Sequence, residues 1–521
     1  MLKTVNNILS ENPKKYAEVI LSGDEVSIEE FIAVARYNAS VSFSNKYITK
    51  IQQSRSLLDS FLLDNKVIYG VTTGFGDNVR SVISTSDAET LQVNIIRSHA
   101  VSVGSPLEGE VVRGILLMML INFGKGLSGV SYEVVNLIKE ILNKKIIPYA
   151  PGEGSVGYLS IEAQISLLLI GEGKAWYKGT LLNGGEALRQ ADLAPIKLKC
   201  KEGLALLSGS TSVTALAILC LYNAVITTKT FDIIGAMTFE CLKGTVNGLD
   251  HRLHQVKNHS EQQETAENLL LILKNSEIMR KYENARVQDP YPIRCLPQIL
   301  GAVKRTLKEA WISVFEEMNS CTDNPIIYFD DNEALMGGNF DGTYVGIHMD
   351  STSIAMGNLA KLSERLTDRL VNRHLNEFPP FLAKNPGLES GLMIPQYTAA
   401  GLVGEIRVLS HPASVDSVST CANQEDPVSF AYFAAKKAYD ISKKLEYIVS
   451  IQTLANFAAL DFIKNLNPSP TIQKVCGMIN KKVKKIEKDR HYYLDIEHIK
   501  NMIHERDILD LVEKDLRYLK F

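Results

Sequence analysis

The sequence has few cysteines, and no two of them form a C-x-x-C pair. Seven cysteines are scattered over 521 residues. An odd number of dispersed cysteines is typical of reduced thiols in a cytosolic protein. We therefore expect a cytoplasmic protein whose cysteine side chains are free.

The sequence also lacks an excess of positive charge and a targeting segment. Its formal net charge is −3, whereas a nucleic-acid-binding protein normally carries a basic patch. The first residues contain no apolar signal core, and no apolar run approaches the length that we expect of a membrane span. We predict no nucleic-acid partner and no membrane partner.

Apolar residues at helical spacing are abundant. Residues 211–243 are mostly apolar and contain neither proline nor a cluster of turn residues, which predicts a core helix buried on most sides. Residues 351–375 and 428–461 carry Leu or Ile every three or four positions. The predicted fold class is mainly α, with a helical bundle at its centre. We divide the chain into an N-terminal helical domain, residues 1–198, and a central long-helix bundle with C-terminal helices, residues 199–521.

The glycine-rich residues 152–157 match the pattern G-x-G-x-x-G of dinucleotide-binding loops. Such a site needs a strand–helix–strand unit and an acidic residue about twenty positions further on. Glu172 stands at that distance, but no strand-rich continuation follows it. We interpret these glycines as bends in a loop.

Two groups of potential metal ligands favour structural roles. His251, His254 and His259 have no cysteine nearby to complete a zinc site. The acidic residues between positions 323 and 341 lack the alternating spacing of a calcium loop, and turn formation explains them better. We predict no metal site.

Seven short strings of polar and aromatic residues interrupt the apolar helices. They read YGVTTGFG from Tyr69, QDPYPIRCLPQ from Gln288, TDNP from Thr322, GGNF from Gly337, LSER from Leu362, SHPASVDS from Ser410 and ANQED from Ala422. In this order they resemble the aromatic amino-acid lyase family, most closely its histidine ammonia-lyase branch, from about residue 67 to 460. The resemblance implies a mainly α long-helix bundle of the fumarase/aspartase and histidine ammonia-lyase type. It also implies a homotetramer whose active sites are each assembled from loops of three subunits, and loss of ammonia from an aromatic α-amino acid.

The resemblance assigns roles to residues at matching positions. Tyr69 matches the tyrosine that removes the β-proton, and we group Tyr291 with it as a catalytic tyrosine. Arg294 matches the arginine that binds the substrate carboxylate, a planar anion suited to a guanidinium group. Gln288 matches a neighbour in the same pocket, and Phe340 matches an aromatic residue that lines it.

His99 and Glu425 match the pair that hydrogen-bonds the substrate ring in the histidine-specific members. An imidazole N–H can donate to a carboxylate, whereas a phenyl ring has no such donor. Glu425 therefore predicts a substrate of the imidazole type.

The sequence departs from the family at the loop that forms its prosthetic group. Family members read GSVGASGDLAPL there, and Ala-Ser-Gly cyclises into an electrophilic methylideneimidazolone. Here GSVG is followed by Tyr158-Leu159-Ser160, with no glycine to allow ring closure, and the aspartate after the triad is also absent. Ser208 stands where the family has an asparagine that hydrogen-bonds the prosthetic group. We predict that the methylideneimidazolone is absent and that the protein has no cofactor.

Loss of the electrophile points to a different leaving group. A base would remove a proton from an α-ammonium before it removed one from carbon, and the electrophile prevents this by capturing the amine. A quaternary trimethylammonium has no N–H to lose and leaves directly as neutral trimethylamine. An imidazole pocket and a betaine leaving group together indicate ergothioneine, the trimethyl betaine of 2-thiohistidine. The product would be thiourocanate, as in the ergothionase branch of the family.

Two further residues fit this hypothesis. Tyr158 stands where the electrophile would be, and it would complete an aromatic cage for a quaternary cation, with each good contact worth about 0.5–2 kcal/mol. The other rings of the cage are Tyr69, Tyr291 and Phe340. Lys384 stands where histidine ammonia-lyases carry a glutamate, and it would bond the thione sulfur as negative charge develops there. A surface lysine is the alternative interpretation.

Three other functions remain open. The protein could act on another betaine such as hercynine, or it could be a histidine-type ammonia-lyase that uses a different route. It could also be a catalytically inactive binding homologue. The catalytic tyrosines argue against the last, because a binding protein has little use for them.

Overall fold

The structure of the protein is a computed structural model that describes residues 8–9, 11–84, 87–516 and 518–521. Helices dominate it, as the sequence predicted. The α-helices are α1 Ile28–Ala35, α2 Asn45–Leu63, α3 Ala88–His99, α4 Gly109–Gly124, α5 Tyr132–Asn143, α6 Ser160–Ser166, α7 Gly184–Gln190, α8 Glu202–Leu207, α9 Thr211–Cys241, α10 His251–Gln255, α11 Ser260–Leu273, α12 Glu277–Lys281, α13 Tyr291–Arg294, α14 Leu296–Met318, α15 Thr343–Val371, α16 Met393–Leu409, α17 Ala431–Leu460, α18 Pro470–Lys482, α19 Tyr492–His504 and α20 Asp507–Leu516.

Short strands form four small sheets within the described part of the chain. The strands are β1 Glu18–Leu21, β2 Ser40–Phe43, β3 Val103–Pro106, β4 Ile147–Pro148, β5 Pro151–Glu153, β6 Lys174–Tyr177, β7 Thr180–Asn183, β8 Ile326–Tyr328 and β9 Glu333–Leu335. β1 and β2 pair in parallel, and the other pairs are antiparallel.

Five long helices, α9 and α14 to α17, form the central bundle. Every residue of α9 is buried. A helix without a solvent face must be surrounded by protein, and α9 packs against α4, α14, α15 and α17. The bundle confirms both the mainly α fold class and the buried helix predicted at residues 211–243.

The expectation that no apolar run reaches the length of a membrane span is wrong. Residues Glu202–Cys241 are apolar and long enough to cross a membrane by length and composition alone. Their most apolar 18-residue window lies entirely inside the protein. The segment is the core of the bundle, and burial on all sides explains its composition.

Other predicted helices lie close to their expected positions. Within residues 428–461, Ala431–Leu460 form α17. Residues 351–375 lie largely within α15, which begins earlier and ends at Val371. The side-chain amide of Asn376 donates to the carbonyl groups of Arg369 and Leu370, at 2.6 and 2.9 Å. Because the last carbonyls of a helix have no partner within it, this amide stabilises the C-terminal end of α15.

The structure shows the surroundings of the glycine-rich residues 152–157 and of the histidines considered as metal ligands. β5, at the start of the stretch, pairs antiparallel with β3, so the parallel strands that a dinucleotide site requires are not formed there. His254 is buried, and its Nδ1 lies 2.8 Å from Nε2 of Gln262. In the described residues, no three His, Cys, Asp or Glu side chains are grouped as metal ligands. The antiparallel pairing argues against a dinucleotide-binding loop, and the burial of His254 against Gln262 fits a structural role for that histidine.

Turn formation does not explain every acidic residue between positions 323 and 341. Asp330 and Asp331 do lie in the turn between β8 and β9. Asp323 instead forms an ion pair with Lys201, with 2.6 Å between Oδ2 and Nζ and both side chains fully buried. The pair joins the segment before β8 to the start of α8. Its long-range character explains why local sequence did not reveal it.

The proposed division at residue 198 stays a prediction. Buried apolar side chains from both sides of it belong to one continuous core, which extends from Ile8 to Leu519. The N-terminal helix α4 packs directly on the central helix α9.

A buried ionic network ties the bundle to the C-terminus. Lys304 on α14 and Asp232 on α9 are both fully buried, with 2.7 Å between Nζ and Oδ2. Asn268 on α11 donates to the same carboxylate oxygen at 2.6 Å and accepts the backbone N–H of Lys520 at 3.0 Å. Three helices and the chain end therefore meet at one carboxylate.

We expect Lys304→Ala to lower the free energy of unfolding by about 3–5 kcal/mol, because it leaves Asp232 buried without a countercharge. The neighbouring Arg305 provides a matched control, since it forms an exposed ion pair with Glu309 at 2.7 Å. Arg305→Ala should change the free energy by about 1 kcal/mol or less. Denaturant unfolding of both variants measures the difference, and equal effects would contradict the assignment.

Candidate active site

One cavity of about 550 Å³ gathers most of the residues that the sequence singled out. Its walls come from α3 and the loop before it, the loop before α6, α8 and the residues that follow it, the segments that contain Asn324 and Phe340, and the loop between α16 and α17. Six predicted site residues line it: Tyr69, His99, Tyr158, Ser208, Phe340 and Glu425. They are far apart in sequence, and the bundle brings them together.

The loop that carries Tyr158 is fixed to the central helix. It leads directly into α6, whose first turn contains the fully buried Glu162. Oε1 of Glu162 accepts hydrogen bonds from the backbone N–H of Ser212 at 2.9 Å and from the hydroxyl of Thr211 at 3.0 Å. These two residues open α9, so the carboxyl group satisfies donors at the start of that helix. Burial raises the pKa of Glu162 above its usual range.

Tyr69 is held by the turn that follows it. The backbone N–H of Gly76 donates to Oη of Tyr69 at 3.0 Å. Gly76 has a φ of +55°, and a Cβ added there would lie 2.6 Å from Sγ of Cys421. A side chain at this position would be strained by the positive φ and would require the Cys421 thiol to move. Burial raises the pKa of Tyr69, the Gly76 hydrogen bond opposes the shift, and the charge of Glu425 adds to it.

Tyr158 contacts two other site residues. Its hydroxyl donates to Oε2 of Glu425 at 3.1 Å, and its ring packs edge-on against Phe340, with centroids 5.3 Å apart. The hydroxyl of Thr420 donates to the same Glu425 oxygen at 3.3 Å. Burial, and then the charge of Glu425, raise the pKa of Tyr158, which keeps the phenol protonated as a hydrogen-bond donor.

His99 ends α3 at the cavity wall. Its Nδ1 lies 2.8 Å from the carbonyl oxygen of Ile95 and 3.0 Å from Oγ of Ser98. A carbonyl group only accepts hydrogen bonds, so Nδ1 carries the proton. Nε2 is then the ring nitrogen that can accept a hydrogen bond from a ligand. Burial lowers the pKa of His99, against the opposing effect of Glu425, and favours the neutral ring.

The chemistry of Tyr158-Leu159-Ser160 does not fit the prosthetic group that the family resemblance implies. Leu159 has φ and ψ of +78° and −62°, and the backbone N–H of Ser160 donates to the carbonyl oxygen of Tyr158 at 3.1 Å. This is a γ-turn, a strained conformation for a residue with a side chain. Leu159 has no hydroxyl group to lose as water, and Ser160 has a side chain where the family has glycine.

Ser208 has a structural partner in the cavity wall. Its Oγ accepts a hydrogen bond from the backbone N–H of Asn324 at 3.1 Å. The side-chain oxygen of Asn324 in turn accepts the backbone N–H of Gly337 at 2.9 Å. Ser208 thus fixes the segment that leads to Phe340.

Four predicted site residues do not line the cavity of their own chain. Gln288 and Tyr291 are exposed, Tyr291 by 64%. The guanidinium carbon of Arg294 lies 5.5 Å from the centre of the Tyr291 ring, and Nε of Arg294 is buried without a partner in the described residues. Lys384 pairs with Glu487 at 2.6 Å. Within the chain, Lys384 is a surface lysine.

The structure adds site residues that we did not single out from the sequence. The ring of Phe75 packs edge-on against that of Tyr69 at the cavity wall, with centroids 6.5 Å apart, and Cys421 lies beside Gly76. Thr420 binds Glu425. Phe75 stands inside a string that we did identify, whereas no sequence signal separates Thr420 from its neighbours.

Comparison with known proteins identifies relatives along almost the whole chain. The model of the family described as aromatic amino acid lyase matches residues 26–481. A histidine ammonia-lyase from Alkaliphilus oremlandii is 40% identical over 500 residues, which cover 95% of this chain and 99% of that protein.

Solved structures with the same fold include a histidine ammonia-lyase and an ergothionase. The crystal structure of histidine ammonia-lyase from Trypanosoma cruzi superposes with a TM-score of 0.89 at 32% identity, covering 95% of each chain. The ergothioneine-degrading enzyme ergothionase from Treponema denticola, in complex with desmethyl-ergothioneine sulfonic acid, superposes with a TM-score of 0.87 at 25% identity. That match covers 95% of this chain and 100% of the other.

Proposed function

The chain belongs to the aromatic amino acid lyase family, and from that premise we propose that it eliminates trimethylamine from ergothioneine to give thiourocanate. The reaction is a carbon–nitrogen lyase reaction, the type that the family performs. We propose further that it needs no prosthetic group and takes place in the cytoplasm.

The observation that carries the proposal is the sequence Tyr158-Leu159-Ser160, whose first two residues line the cavity. An ammonia-lyase must prevent its base from simply deprotonating the substrate ammonium. Without an electrophile to capture the amine, a lyase can still act on a substrate whose nitrogen carries no proton. A trimethylammonium group meets that condition.

The cavity suits a quaternary cation. Two edge-on pairs of rings line it, Tyr69 with Phe75 at 84° and Tyr158 with Phe340 at 62°. Aromatic faces attract quaternary ammonium groups. Glu425 forms no ion pair with a Lys or Arg in the described part of the chain; it accepts hydrogen bonds from hydroxyl groups. Its negative charge therefore remains available to a cationic ligand.

In the proposed reaction the tyrosinate of Tyr69 removes the β-proton. The electron pair of the broken C–H bond forms the new C=C bond, and the Cα–N bond breaks with its electron pair on the departing trimethylamine. Burial and the charge of Glu425 raise the pKa of Tyr69. A positive charge near the phenol opposes this shift, and the trimethylammonium group of the substrate supplies one.

Some predicted site residues lie outside the cavity of their own chain, which supports an active site shared between subunits. Arg294 is the proposed carboxylate-binding residue, and Tyr291 beside it is largely exposed. We propose that the protein is a homotetramer in which Gln288, Tyr291 and Arg294 complete the cavity of a neighbouring subunit.

Histidine is the second candidate substrate, because relatives at 40% identity are named histidine ammonia-lyase. Glu425 and His99 suit the imidazole ring of either substrate. The two candidates differ in the leaving amine, and therefore in whether the electrophile is required.

We expect the intact mass of the purified protein to equal the mass encoded by its sequence. Cyclisation of the loop would expel two water molecules, so the prosthetic group would be visible as that loss. Mass spectrometry of the denatured chain measures it, with a relative that carries Ala-Ser-Gly as the positive control. A mass lower by two waters would exclude the cofactor-free mechanism.

Incubation with ergothioneine should release trimethylamine and thiourocanate, whereas histidine should yield no ammonia. Tyr69→Phe should lower the rate by about 10²–10⁴-fold, the range for removal of a general base. Thr306→Val, at a half-buried position of α14 that does not line the cavity, is a control that should leave the rate unchanged. Turnover of hercynine alone would refute the sulfur-specific part, and turnover of histidine alone would refute the betaine substrate.

If active sites are shared between subunits, two variants that are inactive separately should regain activity in mixed oligomers. We expect Tyr69→Phe and Arg294→Ala to be inactive separately and to regain activity when co-expressed, since some sites then contain both native residues. Co-expression of Tyr69→Phe with the double variant Tyr69→Phe/Arg294→Ala is the matched control and should stay inactive. Absence of recovery, together with a monomeric mass by light scattering, would overturn the shared site.

A further inference from the structure

We propose that Tyr158 and Thr420 are positioning residues that together hold one oxygen of Glu425, so that its other oxygen is reserved for a ring N–H of the substrate. The inference rests on the proposed function for the presence of such a ring. It assigns ring recognition to a unit of three side chains rather than to Glu425 alone.

Both hydroxyl donors reach the same carboxylate oxygen. Oε2 of Glu425 accepts from the hydroxyl of Tyr158 at 3.1 Å and from that of Thr420 at 3.3 Å. Oε1 has no hydrogen-bond partner among the residues described in the structure, and Glu425 lines the cavity. A carboxylate with two donors on one oxygen cannot rotate freely, and the remaining oxygen keeps a fixed direction.

The backbone fixes Thr420 relative to Glu425. The N–H of Thr420 donates to the carbonyl of Glu425 at 3.0 Å, and the N–H of Glu425 donates back at 3.3 Å. Between them, Cys421, Ala422 and Asn423 have φ values of +51°, +54° and +68°. Left-handed backbone is costly for such residues, so a tight loop of this shape persists only where surrounding contacts hold it. The Thr420 hydroxyl is also 3.4 Å from the Glu425 carbonyl, slightly further than from Oε2.

This arrangement links ring recognition to the altered cofactor loop. Tyr158 occupies the first position of the missing triad, and its hydroxyl now contacts the carboxylate that recognises the ring. A site built to pair with a ring N–H discriminates strongly against a ligand that lacks it. Tyr158 therefore contributes to specificity through Glu425, in addition to any contact of its ring with the cation.

Two unreactive probes of similar size test the inference: imidazolepropionate, which has a ring N–H, and phenylpropionate, which does not. Calorimetry on the full-length protein should show that Thr420→Val and Tyr158→Phe each weaken imidazolepropionate binding by about 10-fold, as expected for a hydrogen bond to a charged group. Phenylpropionate affinity should change by less than about two-fold. Thr420→Ser, which keeps the hydroxyl, should retain the native affinity for both probes.

A double-mutant cycle separates positioning from a general structural role. In the Glu425→Ala background, adding Thr420→Val should have no further effect on imidazolepropionate binding, because Thr420 acts only through Glu425. The inference is overturned if the effect of Thr420→Val persists in that background, or if both probes weaken equally. Thr306→Val controls for removal of a hydroxyl elsewhere, and thermal unfolding confirms that each variant is folded.

The probes are not substrates, so the outcome is independent of turnover. Selective loss of imidazolepropionate binding would support the inference even if ergothioneine were not consumed. Ergothioneine turnover with unchanged selectivity in Thr420→Val would support the proposed function and refute the inference.

Discussion

The complete burial of α9 is the constraint on which the rest of the structure depends. A helix with no solvent face has to be enclosed by other helices, and its polar groups need partners inside the protein. Asp232 forms an ion pair with Lys304, and the first turn of α9 donates hydrogen bonds to Glu162. Because Glu162 follows the Tyr158 loop directly, enclosure of the central helix also fixes one wall of the cavity. The site is thus attached to a completely buried element of the fold.

The sequence predicted the helices well because their signal is local. A continuous apolar run, as at residues 211–243, indicates a helix buried on all sides. A leucine repeat, as after residue 351, indicates a helix with one buried face. Two expectations were wrong for different reasons. The length and hydropathy of the apolar run can be read from the sequence, and they do satisfy a membrane criterion. The pairing of Asp323 with Lys201 is not a local property, because it joins residues far apart in the chain. Burial partners of this kind are determined only when the chain folds.

The sequence predicted many of the residues of the candidate site, but not how they are arranged. Resemblance to a family identified Tyr69, His99 and Glu425, and the fold brings them to one cavity. The bond between Tyr158 and Glu425 joins residues 267 positions apart. No pattern of sequence spacing predicts this hydrogen bond, because it depends on how two loops that are distant in sequence pack together. Likewise, the sequence left two interpretations of Lys384 open, and its ion pair with Glu487 becomes visible only in the folded structure.

The contact between Gly76 and Cys421 has a consequence for how this protein can vary. The Tyr69 loop and the Glu425 loop approach so closely here that a single methyl group at position 76 would overlap the thiol sulfur. A side chain at position 76 would fit only if the Cys421 thiol rotated away or the backbone moved. A substitution in one of the two loops therefore changes the packing of the other, and with it the relative placement of Tyr69 and Glu425.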